Sequence, residues 1–400
     1  MDKGTIVSAK GFLAAGVACG IKKSGKPDLA VLVCPRGATA AAMFTTNKVV
    51  SAAVTVCREN TLARRIFGVV INSGNANTCT GTKGLSDART MCRSLAGELQ
   101  VRPDEIFLAS TGIIGHALPI DKIQSGLPVA VKRLSGSPKA GMDFTRAIMT
   151  TDTRPKIATR AIRLNGKIVT IAGTTKGAGM IGPNMATTIC VMTTDAAVSK
   201  ALLGQALNKA IGQSLNRLTV DGHQSTNDTA ILLASGASGI RTIQNRNSAY
   251  RAFEKALCEV ADDLAKQMAL DAEGATRMFR VEIEGAANPA EANKAARAVA
   301  DYDLVKCAIH GGDPNWGRII CAVGSCGVQL DPGRLTCWIG GVCVFRNGQP
   351  TRFDARRVSK IIRQKEHLIR VRLGAGKAAD FCYGCDLGYG YVEINAEYHT

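Results

Sequence analysis

Continuous apolar runs alternate along the chain with stretches of helical periodicity. Residues 66–72 (IFGVVIN) and 105–110 (EIFLAS) predict buried strands, because neither run alternates with polar positions. Between them the turn-rich SGNANTCTG leads into Ala88, Met91, Cys92, Leu95, Ala96 and Leu99 at helical spacing, which predicts a helix over 86–100 capped by Ser86. IATRAIRL and KIVTIAG flank Asn165-Gly166, a strong hairpin signal. TTICVMTT (187–194) reads as another buried strand, and Leu202, Leu203, Ala206, Leu207 and Ala210 stripe a helix over 199–215. Strands at 217–221 and 229–234, a helix at 248–269, and strands at 278–285, 318–323, 335–345 and 389–395 complete the reading. Hairpins interleaved with helices predict a layered α+β class rather than a doubly wound parallel sheet.

Composition narrows the partners. The 400 residues are 46% apolar with only 12 Pro, which excludes a mainly disordered chain. A formal charge of +18 suggests an anionic partner. Residues 1–186 hold 25 of the 50 basic and 10 of the 32 acidic side chains, a surplus of 15, against 3 for 187–400. The basic residues are dispersed and aromatics make up only 4%, so a nucleic-acid surface is poorly supported. Most of the 14 Cys sit in apolar runs, as Cys34, Cys57, Cys190 and Cys321 do, and read as reduced thiols. The apolar stretch GFLAAGVACG is bounded by Lys10 and Lys22-Lys23 without a signal-peptide cleavage site. The expectation is a soluble cytoplasmic protein.

Three cofactor signals fail on inspection. Cys382-Tyr-Gly-Cys385 lacks a second pair, and His116, His223, His310, His367 and His399 are dispersed, so packed thiols are the better reading than zinc. Gly20-Ile-Lys-Lys-Ser-Gly25-Lys26 carries Pro27 where a phosphate loop needs Ser or Thr. Gly177-Ala-Gly179-Met-Ile-Gly182 matches a dinucleotide pattern, but Pro183 interrupts the expected helix and no acid lies at the required distance beyond it.

The same glycines lead to Pro183-Asn-Met-Ala186-Thr187 at the head of an apolar strand. Such a segment suits self-cleavage, in which a Thr hydroxyl attacks the preceding carbonyl, the acyl group shifts from N to O, and water releases a new N-terminal Thr. The freed amine, with a reference pKa of about 8, is a built-in base for its own hydroxyl. Taken alone, the segment reads better as a loop entering a core strand with an ordinary Thr.

The remaining motifs bear on that choice. KGFLAAGVACGIK, MFTTNKV, VVINSGNANTCTG, STGIIG, MTTDTRPK, KGAGMIGPNMAT, VDGHQSTNDT, DAEGAT, GGDPNWGRI and CDLGYGYVEINAEYHT run in order along nearly the whole chain. In these motifs the chain resembles the ornithine acetyltransferase family, the self-processing glutamate N-acetyltransferases of arginine biosynthesis.

The resemblance implies a layered α/β sandwich of two domains with the active site between them. It implies cleavage between Ala186 and Thr187, giving an α fragment of 1–186 and a β fragment of 187–400. Thr187 would be the acetylated nucleophile, with Thr111 and the Gly112 amide as oxyanion hole. Thr153, Lys176, Glu273, Asn395 and Thr400 match substrate-binding positions. It further implies ping-pong transfer from N-acetylornithine to glutamate, no metal or organic cofactor, acetyl-CoA as a second donor in bifunctional members, and two copies of each fragment. His223 replaces an acid usual in the family, and Thr188 a Met. The rival enzyme class is an N-terminal-nucleophile aminopeptidase or amidase, which would deliver the acyl group to water.

Overall fold

The computed structural model describes residues 4–182 and 188–397. Its strands are β1 (Leu13–Val17), β2 (Leu29–Phe44), β3 (Ile66–Asn75), β4 (Ile106–Ile113), β5 (Lys156–Leu164), β6 (Lys167–Lys176), β7 (Ile189–Thr194), β8 (Thr229–Ala234), β9 (Met278–Ala286), β10 (Thr336–Ile339), β11 (Val342–Arg346), β12 (Gln349–Pro350), β13 (Glu366–Arg372) and β14 (Ala378–Cys385). The helices are α1 (Ala52–Asn60), α2 (Gly81–Leu99), α3 (Ile120–Lys132), α4 (Pro138–Ile148), α5 (Lys200–Gly212), α6 (Ser248–Ala269), α7 (Pro289–Asp301), α8 (Asp303–Gly311), α9 (Trp316–Ser325), α10 (Ala355–Ile362) and α11 (Tyr389–Glu397).

One sheet has the order β4-β3-β2-β8-β7-β6-β5, with β1 on β2; a second has the order β12-β11-β10-β13-β9-β14. Among the described residues of the first sheet, β3/β4 and β7/β8 pair in parallel and the other neighbours antiparallel. β2 is its backbone: residues 29–33 pair with β1 and β3, the register shifts, and 39–44 pair with β8. The α+β class expected from the sequence is what the chain adopts.

β7 and β8 are apolar on both faces because both faces are covered. Ile189, Val191, Ile231 and Leu233 join the core built on β1–β4 and α1–α4. Their alternates Cys190, Met192, Ala230 and Leu232 pack under α5 and α6. The second sheet has its own core against α7, α9 and α10. Cys382 belongs to that core and Cys385 to the one under α6, so the two thiols occupy different apolar layers.

Several expected elements differ. The run 318–323 lies in α9: Ile319, Ala322 and Val323 are buried at helical spacing, and the Asn315 side chain caps the start. The run 389–395 lies in α11, which buries no side chain and so gains nothing from strand alternation. Residues 217–221 form no strand; a short 3-10 turn over Leu215–Arg217 is followed by a single bridge from Leu218 to Tyr383. The run 335–345 is a hairpin, β10 and β11, turning at Gly340-Gly341 with positive φ at both. The helix expected from 86 starts at Gly81, with Thr80 as its N-terminal flank and Ser86 inside it. The point between residues 186 and 187 falls between β6 and β7, neighbours in one sheet, so the two halves of the chain interleave.

Candidate active site

The C-terminal ends of β3, β4 and β6 meet the N-terminal ends of β7 and β8, and polar side chains are buried there. β3 and β4 run parallel with Ser73 opposite Thr111 and Gly74 opposite Gly112. Gly112 has φ +132°, and a Cβ on it would stand 2.3 Å from the Gly74 carbonyl carbon, so only glycine lets the two turns touch. Amide side chains hold these turns rigid. Asn227 Nδ2 donates to the Ser110 carbonyl at 2.8 Å and the Ala76 carbonyl at 2.6 Å. The Ser110 hydroxyl donates to Asn72 Oδ1 at 2.6 Å, and Asn72 Nδ2 donates to the Asn75 carbonyl at 2.9 Å.

Lys176, the last residue of β6, is buried and donates from Nζ to Thr111 Oγ1 at 2.9 Å. Since the hydroxyl oxygen accepts from an ammonium, its own proton is left to face the cavity. Burial pushes the Lys176 ammonium below its ordinary value; Asp152, Asp228 and Glu273 oppose that shift and Lys156 adds to it. Asp152 accepts from the amides of Gly177 at 2.8 Å and Thr150 at 3.0 Å. Burial raises its carboxyl, but the charges of Lys156 and Lys176 and the hydrogen bonds from Gly177 and Lys156 prevail and hold it at about 2. Lys156 bridges Asp152 and Asp271, both buried.

Glu273 enters from the loop before β9. Its amide donates to the Ala178 carbonyl at 2.9 Å, and its carboxylate fills space that a side chain at Gly179 would take, since a Cβ there would stand 2.1 Å from Oε2. Asn395 in α11 donates from Nδ2 to Glu273 Oε2 at 3.0 Å. The helix is tied down by the Tyr391 hydroxyl, which donates to Asp221 Oδ2 at 3.1 Å; the Met180 amide donates to the same oxygen at 2.7 Å.

Thr111, Gly112, Lys176, Glu273 and Asn395 thus line one cavity of about 80 Å³, together with Thr150, Thr151, Thr226 and Asn227. Thr153 is not in that lining: its amide donates to Asp271 Oδ2 at 3.1 Å and its hydroxyl also bonds Asp271. Ala186, Thr187 and Thr400 lie outside the described residues. Thr188 is buried, and its amide donates to Asp228 Oδ1 at 2.6 Å. His223 is exposed, with its amide on Asp221 Oδ1 at 3.1 Å, so its ring stays out of the cavity. Asn227, Asp228 and Asp152 escaped the sequence reading. The signal for the first two was Ser225-Thr226-Asn227-Asp228, four polar residues directly before the fully buried β8. Among the described residues no group of three or more His, Cys, Asp or Glu is arranged to hold a metal, and no helix is long and apolar enough to cross a membrane.

The model of the ArgJ family matches residues 13–400. The arginine biosynthesis bifunctional protein ArgJ of Symbiobacterium thermophilum is 45% identical over 399 residues, covering 99% of both chains. The chain belongs to the ArgJ family. The resemblance read from the motifs therefore extends over the chain, and with it the enzyme class, an acyltransferase of arginine biosynthesis. Among solved structures, ArgJ from Bacillus halodurans is similar with a TM-score of 0.50 at 40% identity, covering 52% of this chain and 97% of that one. An ornithine acetyltransferase from Mycobacterium tuberculosis, complexed with ornithine, is 34% identical with a TM-score of 0.41 and covers 46% of this ArgJ-family chain and 96% of its own.

Proposed function

We propose that the chain cuts itself between Ala186 and Thr187 and then transfers the acetyl group of N2-acetyl-L-ornithine to L-glutamate through an acetyl-Thr187 intermediate. The observation that carries this reading is the Lys176–Thr111 hydrogen bond at 2.9 Å, in one cavity with Glu273 and Asn395, where β6 ends and β7 begins. The half-length match supports the cut as well: 97% of the Bacillus halodurans chain corresponds to 52% of this one.

In this reading the Thr187 hydroxyl gives its proton to the α-amine of the same residue and attacks the acetyl carbonyl of N-acetylornithine. The Thr111 hydroxyl and the Gly112 amide receive the developing oxyanion, and Lys176 strengthens Thr111 as a donor by donating a charged N–H to its oxygen. The proton then passes to the departing ornithine amine. Glutamate occupies the emptied cavity, its amine attacks the acetyl ester, and Thr187 is restored. Glu273 pairs with the side-chain ammonium of ornithine, and Lys176, Asn395 and Thr400 hold the α-amino and α-carboxylate end shared by both amino acids. Thr153 acts indirectly, through Asp271 and Lys156. No step requires a metal or organic cofactor; in a bifunctional enzyme acetyl-CoA would be the second acetyl donor, and the two fragments assemble as two copies of each.

Incubation with N-acetylornithine alone tests the scheme. The fragment starting at Thr187 is expected to gain one acetyl group by mass and to lose it on addition of glutamate, with N-acetylglutamate formed in equal amount. Rapid release of acetate without glutamate would instead mark an amidase.

A further inference from the structure

Residues 18–28, which join β1 to β2, include the segment Gly20-Ile-Lys-Lys-Ser-Gly25-Lys26 that no phosphate loop explains. The buried Asp28 organises them. Its Oδ1 accepts from the Cys19 amide at 2.7 Å, and its Oδ2 from the amides of Ile21 at 2.7 Å and Lys22 at 2.9 Å. Its carbonyl accepts from the Ser73 amide at 2.9 Å, which fastens the loop to β3 one residue before Gly74. Gly74 has φ +102°, and a Cβ on it would stand 3.1 Å from both Ile21 Cγ2 and Lys22 Cγ. The Lys22 stem therefore lies against Gly74, the residue that Gly112 touches. From there the side chain crosses to the end of α4, where Nζ donates to the Met149 carbonyl at 2.7 Å; it also donates to the Pro27 carbonyl at 2.7 Å. Met149 directly precedes Thr150 and Thr151, which line the cavity. The Ser73 hydroxyl makes a second tie between the same two elements, donating to the Ala147 carbonyl at 2.6 Å. Burial pushes the Lys22 ammonium down to about 8; Asp28 and Asp152 oppose that shift, while Lys176 and Lys26 add to it. At neutral pH it keeps its charge, and both of these bonds to carbonyls are charge-assisted.

We propose that Lys22 is a positioning residue for acyl transfer: it clamps the Gly74–Gly112 turn to the Thr150–Thr151 wall, in the register that aims the Thr111 hydroxyl and the Gly112 amide at the developing oxyanion. This rests on the proposed transfer reaction and its oxyanion hole. Lys22 does not line the cavity, so it acts through the backbone it holds. Donors in an oxyanion hole are worth most when they stand about 3 Å from the place the oxyanion will occupy, and they lose much of that worth when the turn carrying them drifts. Asp28 fixes the near end of the clamp and the Met149 carbonyl the far end, with Gly74 held against the stem between them. No bond is made or broken at Lys22.

The test compares wild type with Lys22→Met, which keeps a stem over Gly74 but loses both donated hydrogen bonds, and with Lys22→Arg, which keeps charge and donors. Active sites are counted by the acetyl group that N-acetylornithine leaves on the protein, so that turnover is read per active site. Lys22→Met is expected to lower kcat for transfer to glutamate roughly 10-fold, with KM for both substrates within about threefold, because the oxyanion exists only in the transition state. Lys22→Arg should bring kcat back to within about threefold of wild type. Wild-type kcat per active site in Lys22→Met would overturn the assignment, as would equal kcat in the two variants. A loss carried by KM alone, or by a smaller number of active sites, would also overturn it, since neither reports on the oxyanion. If Lys22→Met does not fold, Lys22→Gln decides on the same criteria; failure of both to fold would make Lys22 a folding residue and overturn the assignment. A wild type that performs no transfer in the same assay would defeat the functional reading itself.

Discussion

The two sheets bury their polar groups in opposite ways. At the mouth of the first, Asn72, Ser110, Asn227, Asp152 and Lys156 are all buried and bonded to one another or to backbone, and buried Lys176 donates to the Thr111 hydroxyl. In the second the packed core is apolar, only a few charged groups such as Lys306 and Asp386 are buried on its elements, and ion pairs such as Arg372–Glu284, at 3.0 Å, lie on the surface. Its buried His367 stacks on Phe279, and neither ring nitrogen has a hydrogen-bond partner among the described residues. A shell of satisfied amides and charges fixes the geometry that acyl transfer needs; the second sheet needs only to fold, and there apolar packing suffices. Perturbing the first region should therefore cost turnover, and perturbing the second should cost only stability.

The largest expected effect is that of Thr187→Ala, which should remain a single chain by mass and lose transfer by at least about 10,000-fold. Retained activity would remove the nucleophile from the account. Gly112→Ala comes next, because its Cβ would stand 2.3 Å from the Gly74 carbonyl carbon. It should lose roughly 100-fold in kcat along with about 1–3 kcal/mol of stability. Gly324→Ala in α9 is its counterpart in the second region: a Cβ there meets nothing within 4 Å. That variant should melt higher, by about 0.5–1 kcal/mol, with activity unchanged. Equal behaviour of the two glycines would erase the contrast.

Glu273→Gln should lower kcat/KM for N-acetylornithine roughly 10- to 100-fold, since it removes a charge-assisted partner of the side-chain ammonium. The loss for glutamate as acceptor should be smaller, and an equal loss for both would take Glu273 off the side-chain ammonium. The smallest effect belongs to the second sheet. Burial, helped by Arg277 and opposed by Asp386, pushes the His367 imidazole down to about 4. The unfolded chain thus binds that proton first as pH falls, so stability is complete above about 6.5 and declines toward 4. Between pH 7 and 5 the wild type should lose about 2 kcal/mol more than His367→Phe in denaturant melts, with no difference in turnover at pH 7. Parallel pH profiles of stability would contradict the reading of His367.

Much of this was legible in the chain. Uninterrupted apolar runs marked β3, β7 and β8, and the ordered motifs pointed to Thr111, Gly112, Lys176, Glu273 and Asn395, which line one cavity. What failed did so for physical reasons. The run at 318–323 is apolar enough for a strand, yet its buried positions keep helical spacing. The tail at 389–395 alternates like a strand but touches the cavity through Asn395 alone. Asp228 and Asn227 were hidden because their partners, Thr188 and the Ser110 carbonyl, are distant in sequence and become neighbours only through sheet pairing.

The most direct measurement is the intact mass of the purified wild-type protein with N-terminal sequencing of whatever chains it contains, on the same sample assayed for acetyl transfer from N-acetylornithine to glutamate. Two chains are expected, the second beginning at Thr187, in an active preparation. A single full-length chain with full transfer activity would contradict it.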